Sequence, residues 1–322
     1  MTRQTLRLTL ECDNRCVFCA QRGLDSGEAL AYPEIEERLR SLRERGDSLT
    51  LTGGEPALAP RLLEIVGAAR ALGFRRIGLQ SNGRALADSS FVGELAAAGL
   101  TDAHLSIHGP RAEVHDYHTS AEGSFQAIVD ATRALARHGL TAVATTVLTR
   151  SNYRVLAAMP GLLRQWRVSA WLIRIVRGAG DAAVHEDRIV PRLAMAVPRA
   201  LHAVELARRQ GLAAWIEGAP LCLLGPYIRH GLRGDGLRAY PSRCDACELK
   251  SRCPGFDARY LDRFRGDEAA PRTVPEALRR ALPGLKSAGE LLEMFVGIGE
   301  LAPASAPATS ESTRHSLPVV TS

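Results

Sequence analysis

Strand-like and helix-like segments alternate along the first two thirds of this 322-residue chain, and no other feature limits its fold as strongly. Apolar segments typical of strands lie near 5–10, 48–52, 75–80, 102–107, 141–148 and 170–176. Helical periodicity separates them near 33–45, 60–72, 88–98, 123–138 and 151–166. Such alternation is typical of a parallel sheet with helices packed against it. We therefore predict an α/β fold, a partial (β/α)6 TIM-like barrel, with ligands bound at the carboxyl ends of the strands.

The pattern changes after residue 210, where we predict that the barrel (1–210) ends. A last barrel helix is expected from about Pro198 to Gln210, with the proline in its first turn, where a missing N–H costs little. Residues 211–265 contain four of the seven cysteines and predict a small cysteine-rich domain. Residues 266–299 have helical periodicity. Residues 300–322, rich in Ala, Pro, Ser and Thr, predict a disordered tail.

Composition narrows the class of protein. Apolar residues make up 46% and charged residues 24% of the chain, which is ordinary for a soluble globular protein. No apolar run reaches the roughly 18 residues of a membrane span, and the N-terminus leads into a strand without a signal peptide. We find no nucleic-acid-binding motif. The net charge of +6 fits a solvated surface or a basic face that attracts an acidic peptide or a phosphorylated substrate.

Three cysteines, Cys12, Cys16 and Cys19, follow the first strand directly. Three thiolates can hold one 4Fe–4S cluster and leave its fourth iron open to a small molecule. Zinc is the alternative, but zinc ligands usually come as C-x2-C pairs that close a shell of four. Cysteines grouped for metal binding in a large chain, rather than spread as a disulfide scaffold, indicate the reducing cytoplasm.

Phe18 stands directly before the third cysteine, and with it the triplet resembles the signature of the radical S-adenosylmethionine (radical SAM) superfamily. The resemblance implies that the open iron of a catalytic 4Fe–4S cluster binds S-adenosylmethionine. An electron from the cluster would then cleave the sulfonium and release a 5′-deoxyadenosyl radical. The resemblance also implies the partial barrel and an external electron donor such as flavodoxin or ferredoxin.

The second strand candidate ends in Gly53, Gly54, Glu55 and Pro56. Paired glycines let the backbone approach a ligand closely. A carboxylate at this place could accept a hydrogen bond from an ammonium group. The resemblance implies that this motif contacts the amino group of S-adenosylmethionine, whereas the four residues by themselves would read equally well as a turn.

Two further strand ends carry polar residues. Asn82 ends the third strand candidate, and Ser106 ends the fourth. The resemblance implies that both contact the cofactor or substrate. The pair Asn82-Gly83 is also a common turn, so the structural and functional interpretations of Asn82 stay open.

Histidines and arginines near the later strand ends supply the catalytic candidates, namely His108, Arg174 and Arg177. His108 belongs to a group with His104, His115 and His118, whose spacing matches no zinc motif and which could equally be hydrogen-bonded structural histidines. Arg174 lies inside an apolar strand and needs an anionic partner. It would bind a carboxylate of the cofactor or substrate, or form an ion pair with a neighbouring helix.

The second cysteine group is Cys222, Cys244, Cys247 and Cys253. Four thiolates fully ligate one 4Fe–4S cluster, and a four-cysteine zinc site is the alternative. The spacing resembles the twitch and SPASM extensions of radical SAM enzymes, which hold auxiliary clusters. Asp257 stands where a SPASM domain has a further cysteine, so the shorter twitch type is expected. A closed cluster would accept or relay an electron.

These observations predict a radical SAM oxidoreductase or maturase. We expect oxidative modification of a ribosomally made peptide. The alternative is a small-molecule dehydrogenase or an enzyme of cofactor or natural-product biosynthesis from the same superfamily. A non-catalytic iron–sulfur or zinc protein is the alternative from another class, and such a protein would need neither the glycine–glutamate motif nor an open iron.

Overall fold

The computed structural model of the protein describes residues 3–22, 31–234 and 238–273. Its strands are β1 (Arg3–Thr9), β2 (Ser48–Gly53), β3 (Arg76–Ser81), β4 (Asp102–Ser106), β5 (Thr141–Leu148), β6 (Ala170–Ile175), β7 (Ala213–Glu217), β8 (Gly231–Leu232), β9 (Arg238–Ala239) and β10 (Phe256–Asp257). Its helices are α1 (Tyr32–Arg45), α2 (Leu62–Ala71), α3 (Ser89–Ala98), α4 (Ala112–Thr119), α5 (Ser124–Arg137), α6 (Met159–Gln165), α7 (Asp181–Val184), α8 (Glu186–Ile189), α9 (Leu193–Arg209), α10 (Leu221–Leu224) and α11 (Ala258–Phe264).

The strands β1 to β8 form one parallel sheet whose order follows the sequence. Each βα unit therefore adds its strand beside the previous one, which is the connectivity of a TIM-like barrel. The predicted α/β fold and partial barrel are confirmed. Because all eight strands run the same way, their carboxyl ends and the loops that follow them meet at one mouth.

The sheet differs from the prediction in extent, since two strands lie beyond residue 210. Strand β7 pairs with β6 from Ala170↔Ala213 to Arg174↔Glu217, and the two-residue β8 pairs with β7. Strands of five and two residues carry too little periodicity to be recognised in a sequence. The sheet therefore continues past the position where we divided the chain.

Helix α9 begins five residues earlier than predicted, and Pro198 lies inside it. The prediction that this proline occupies the first turn is wrong. The first turn is held by other contacts: the N–H of Leu193 donates to the Tyr260 hydroxyl at 2.8 Å, and the N–H of Met195 donates to the Arg192 carbonyl at 3.0 Å. The predicted helix at 151–166 is also shorter, because only Met159–Gln165 is α-helical after a single 3-10 turn.

The two faces of the sheet differ in polarity. The outer face packs on the helices with fully buried Leu49, Leu51, Leu79 and Leu105. Alternate residues of each strand point into the barrel, and on this inner face several of them are polar. Asp102 and His104 of β4 are both buried there, and the His104 Nε2–H donates to the Asp102 carboxylate at 2.8 Å.

The cysteine-rich segment after β8 contains the antiparallel pair β9–β10 and helix α11. Tyr260 of α11 accepts from Leu193 and donates to Glu268, which fastens this segment to α9. Most of the predicted helical segment 266–299 and all of the predicted tail 300–322 lie outside the described residues. None of the described helices combines the length and apolar character needed to cross a membrane.

Candidate functional site

The loop with the first three cysteines leaves β1 at the mouth of the barrel and is fixed to the end of α4. The N–H of Arg15 donates to the Thr119 carbonyl at 2.9 Å, and that of Val17 to the His118 carbonyl at 3.0 Å. Cys12, Cys16 and Cys19 are all free thiols. The cysteine loop is thus held in place by α4, which belongs to a different βα unit of the barrel.

The glycines of the second strand end pack directly on the approach to this loop. The N–H of Gly54 donates to the Thr9 carbonyl at 2.8 Å, and the N–H of Glu55 to the Glu11 carbonyl at 2.7 Å. A Cβ atom at Gly53 would overlap the Thr9 carbonyl oxygen, and one at Gly54 would overlap the Glu11 carbonyl. Only glycine permits this approach, so the motif shapes the chain just before Cys12.

The Glu55 carboxylate is buried, with 1% of the residue exposed, and both of its oxygens have protein donors. Oε2 accepts from the N–H of Asn82 at 2.6 Å, and Oε1 accepts from the Ser81 hydroxyl at 2.8 Å and the N–H of Ala57 at 3.1 Å. Burial raises its pKa to about 7, although these hydrogen bonds oppose the shift. In this arrangement Glu55 fixes the end of β3 against the end of β2.

Asn82 lies beside the cysteine loop. Its amide Nδ2 donates to Asp13 Oδ1 at 2.6 Å and lies 3.9 Å from Cys12 Sγ. Arg84 adds a contact that we did not predict, since Nη1 donates to the Asp13 carbonyl at 2.8 Å. The end of β3 therefore contacts the cysteine loop at Cys12 and Asp13.

The loop after β6 closes on the third cysteine. The N–H of Asp181 donates to the Cys19 carbonyl at 3.0 Å, and the Asp181 carboxylate pairs with Arg22 at 2.8 Å. Gly180 has a φ of 54°, and a Cβ there would overlap the Cys19 carbonyl oxygen. Nothing in the sequence indicates this role of Gly180, because it lies 161 residues from Cys19.

The three thiols lie close enough together to interact electrostatically. Burial raises the pKa of Cys16 to about 12, and the neighbouring Cys12 and Cys19 add to the rise. Burial also raises the pKa of Cys12, against a hydrogen bond from the Asn14 backbone. Nδ2 of the buried Asn14 has no hydrogen-bond partner among the described residues. Three converging thiols with polar donors around them are the ligand set that a site-differentiated cluster uses, so the residues fit such a group.

Phe18 and three histidines form a buried cluster behind the cysteine loop. The Phe18 ring lies edge-on to His108 with centroids 4.8 Å apart, and His108 stacks on His115 at 5.7 Å. His118 donates from Nδ1 to the Val114 carbonyl at 2.6 Å, and its Nε2 accepts from the Thr149 hydroxyl at 2.7 Å. Burial holds the pKa of all three histidines below the usual value. They are therefore neutral near pH 7.

The other predicted site residues occupy separate places. Ser106 ends β4 half-exposed, and Pro56 is buried in a 3-10 turn after β2. Arg177 is exposed after β6. Arg174 forms an ion pair through Nε with Glu217 Oε2 at 2.5 Å. Its partner stands on the neighbouring strand β7, not on a helix.

The four later cysteines, Cys222, Cys244, Cys247 and Cys253, are free thiols that line one small cavity. Backbone N–H groups point at their sulfurs: those of Leu221 and Gly255 lie 3.3 Å from Cys253 Sγ. Such N–H···S contacts are typical of thiolates that ligate metal clusters, and the donor set fits an iron–sulfur cluster. In the described part of the chain, no three His, Cys, Asp or Glu side chains are placed to bind a single metal ion.

Comparison with known proteins bears on the first half of the chain. Residues 6–154 match the family model of the radical SAM superfamily. A GTP 3′,8-cyclase from Synechococcus elongatus is 33% identical over 180 residues, which are 53% of this chain and 54% of that protein. An AdoMet-dependent heme synthase from Oleidesulfovibrio alaskensis is 27% identical over 180 residues, 55% of this chain and 46% of that protein. The chain thus spans about half the length of these curated relatives.

A solved structure shares the fold. The crystal structure of SuiB from Streptococcus suis bound to the precursor peptide SuiA aligns with a TM-score of 0.59 and 16% sequence identity. The alignment covers 70% of this chain and 51% of that one. At this identity the likeness concerns the fold alone.

Proposed function

We propose that the chain is a radical SAM enzyme whose catalytic 4Fe–4S cluster is held by Cys12, Cys16 and Cys19, and the match of residues 6–154 to the family model supports this. The observation that carries the proposal is the attachment of these three free thiols to the mouth of the barrel, between α4 and the loop after β6. When bound, the cluster and S-adenosylmethionine supply a 5′-deoxyadenosyl radical that abstracts a substrate hydrogen.

The residues around the loop have distinct parts in this proposal. Gly53 and Gly54 offer backbone groups to the amino acid end of S-adenosylmethionine, and their missing side chains let this strand end pack against the backbone of Thr9 and Glu11, just before Cys12. Ser106 offers a hydroxyl from the end of β4. Asn82 orients the Cys12 segment through Asp13, and Glu55 in turn orients Asn82. Phe18 packs against His108 and excludes water from behind the cluster loop.

We assign the part of the segment 211–265 that lies outside strands β7 and β8 to a twitch-like domain, which holds an auxiliary 4Fe–4S cluster through Cys222, Cys244, Cys247 and Cys253. The support is the common cavity of the four thiols and the N–H groups directed at Cys253. All seven cysteines of the chain are then cluster ligands, and none remains to donate a hydrogen atom to a substrate radical. The auxiliary site would accept an electron from the substrate, which suits an oxidation.

For the substrate we propose a ribosomally made peptide, with flavodoxin or ferredoxin as the electron donor in the cytoplasm. The net charge of +6 supports an acidic peptide. A small molecule is the second candidate, and the curated relatives favour it, because they are named a cyclase of GTP and a heme synthase.

Iron and sulfide content with Mössbauer spectra after anaerobic reconstitution test the proposal. About eight irons per chain, with one iron site shifted by S-adenosylmethionine, is the expected result for two clusters. About four irons with one zinc would leave the radical chemistry intact and remove the electron relay. Formation of 5′-deoxyadenosine by a Cys16→Ala variant would contradict the assignment of the catalytic cluster.

A further inference from the structure

A cavity opens where the carboxyl ends of β6 and β7 meet the cysteine-rich segment, and arginines dominate its charge. Arg174 reaches it from β6 and Arg177 from the loop that follows. Arg233 comes from the segment after β8, and Arg238 from β9. Four arginines from separate elements therefore line one cavity.

The carboxylates at this cavity are already engaged. Glu217 and Asp257 are the acidic residues among its described lining. Glu217 binds Arg174 at 2.5 Å. Asp257 accepts from the N–H of Arg259 at 3.0 Å, where it caps α11, and from the N–H of Gly178 at 3.3 Å. Only Arg174 is neutralised by them.

The other three arginines are left without an anion. Among the described residues no carboxylate pairs with the guanidinium of Arg177, Arg233 or Arg238. Nη2 of Arg238 donates to the Arg233 carbonyl at 2.9 Å, whereas its Nη1 is buried and has no partner in the described ranges. Burial of a charged donor without a hydrogen-bond partner is unfavourable, and a bound anion would supply that partner.

We propose that this cavity binds an oxyanion group of the substrate, a phosphate or a cluster of carboxylates, through Arg177, Arg233 and Arg238. Guanidinium groups match both anions, since each can donate two parallel hydrogen bonds. That the anion belongs to the substrate rests on the proposed function.

The cavity lies next to the one formed by the four later cysteines. Gly255 and Phe256 line both this cavity and the one formed by the four later cysteines. Arg174 stands at its other side, on the inner face of the barrel. A substrate anchored by its oxyanion would therefore lie between the barrel mouth and the auxiliary cysteines.

Titration calorimetry of the anaerobically reconstituted holoenzyme tests the inference, with inorganic pyrophosphate and citrate as the two probes. We expect Arg177→Gln, Arg233→Gln and Arg238→Gln each to weaken binding at least about tenfold, which corresponds to about 1.4 kcal/mol. The first two side chains are exposed, so these variants should keep the fold and the iron content of the wild type. Arg209→Gln is the matched control, because it removes one arginine from an exposed pair with Glu205 on α9.

The outcomes separate the sources of the anion. Loss of pyrophosphate binding in the variants would assign a phosphate, and loss of citrate binding would assign carboxylates. Equal affinity in Arg177→Gln, Arg233→Gln and the wild type would overturn the proposal, as would an equal loss in Arg209→Gln. Asp235 lies outside the described residues. Binding seen only in Asp235→Asn would mean that this carboxylate already neutralises the arginines, which also overturns the proposal.

A separate measurement tests the proposed function. The wild-type holoenzyme should form 5′-deoxyadenosine from S-adenosylmethionine when dithionite supplies the electron. Anion binding without this product would refute the radical chemistry but not the anion site. The product without anion binding would refute the anion site alone.

Discussion

The guanidinium of Arg3 on β1 donates to the Asp102 carboxylate on β4 at 2.7 Å, inside the barrel and across the two strands between them. Both side chains are buried. A Cβ at Gly78 of β3 would overlap Arg3 Nη2 and Asp102 Oδ1. Burial opposes ionisation of Asp102, but the hydrogen bond from His104 and the charge of Arg3 hold its pKa below the usual value. This pair joins the first and fourth units of the barrel.

Gly78→Ala should therefore destabilise the protein by about 3 kcal/mol, because it separates a buried ion pair. The control is Gly67→Ala in α2, where an added Cβ meets no atom within 4 Å. That change should stabilise the helix by about 0.5–1 kcal/mol. Chemical unfolding of both variants measures the difference, and equal stability of the two would refute the role of Gly78.

Gly180→Ala should reduce iron incorporation, because the new methyl group displaces the Cys19 carbonyl. Gly211→Ala is a matched control: its φ of 69° is also positive, but nothing lies within 4 Å of the added Cβ. Gly211→Ala carries a backbone cost of about 1 kcal/mol. Gly180→Ala carries a larger one of about 1–3 kcal/mol, because φ 54° with ψ −135° is a conformation that side chains rarely adopt. Iron per chain after anaerobic reconstitution should fall only in Gly180→Ala. A similar fall in both would assign the effect to backbone strain.

Glu55 makes the stability depend on pH. Its pKa is raised from 4.5 to about 7 in the folded protein, so the native state holds a proton that the unfolded state has released. This contribution is complete below pH 4.5 and is lost as the pH rises through about 7. The stability of the wild type relative to Glu55→Gln should thus fall from about pH 5 to about pH 8. The exposed Glu64→Gln should show no such trend in the same unfolding experiment.

His115 acts in the opposite direction. Burial lowers its pKa from 6.5 to about 4, so on acidification the unfolded state takes up a proton before the native state does. Stability is full above pH 6.5 and is lost as the pH falls towards 4. His115→Asn keeps an acceptor for the His108 N–H, found at 3.2 Å from Nδ1, and does not titrate. Its loss of stability between about pH 7 and pH 5 should be smaller than in the wild type or in the surface variant His138→Asn.

Cys253→Ala should lower the iron content from about eight to about four per chain, since the variant loses one of four thiolates of the auxiliary cluster. The remaining iron should still respond to S-adenosylmethionine in the Mössbauer spectrum. Cys16→Ala is the counterpart, because there the remaining iron should not respond. Unchanged iron content in Cys253→Ala would exclude an auxiliary cluster on this residue.

Much of the fold could be predicted because strand and helix periodicity is a local property. All six predicted strands lie within a few residues of β1 to β6. The sequence left the partner of Arg174 open, because the two residues of this ion pair are far apart along the chain. Glu217 becomes its neighbour only when β7 pairs with β6 in the register Arg174↔Glu217, and β7 itself is too short for its pattern to be recognised.

The sequence by itself determined the alternation of strands and helices and the cysteine triplet with its aromatic residue. It also determined which polar residues end the strands, because spacing along a chain fixes these. Tertiary structure alone decided that Glu55 binds the end of β3, that Gly180 packs on Cys19, and that Arg177, Arg233 and Arg238 share a cavity. These relationships join residues on separate elements. They depend on strand order, register and the space left by neighbouring side chains, which only the packed molecule defines.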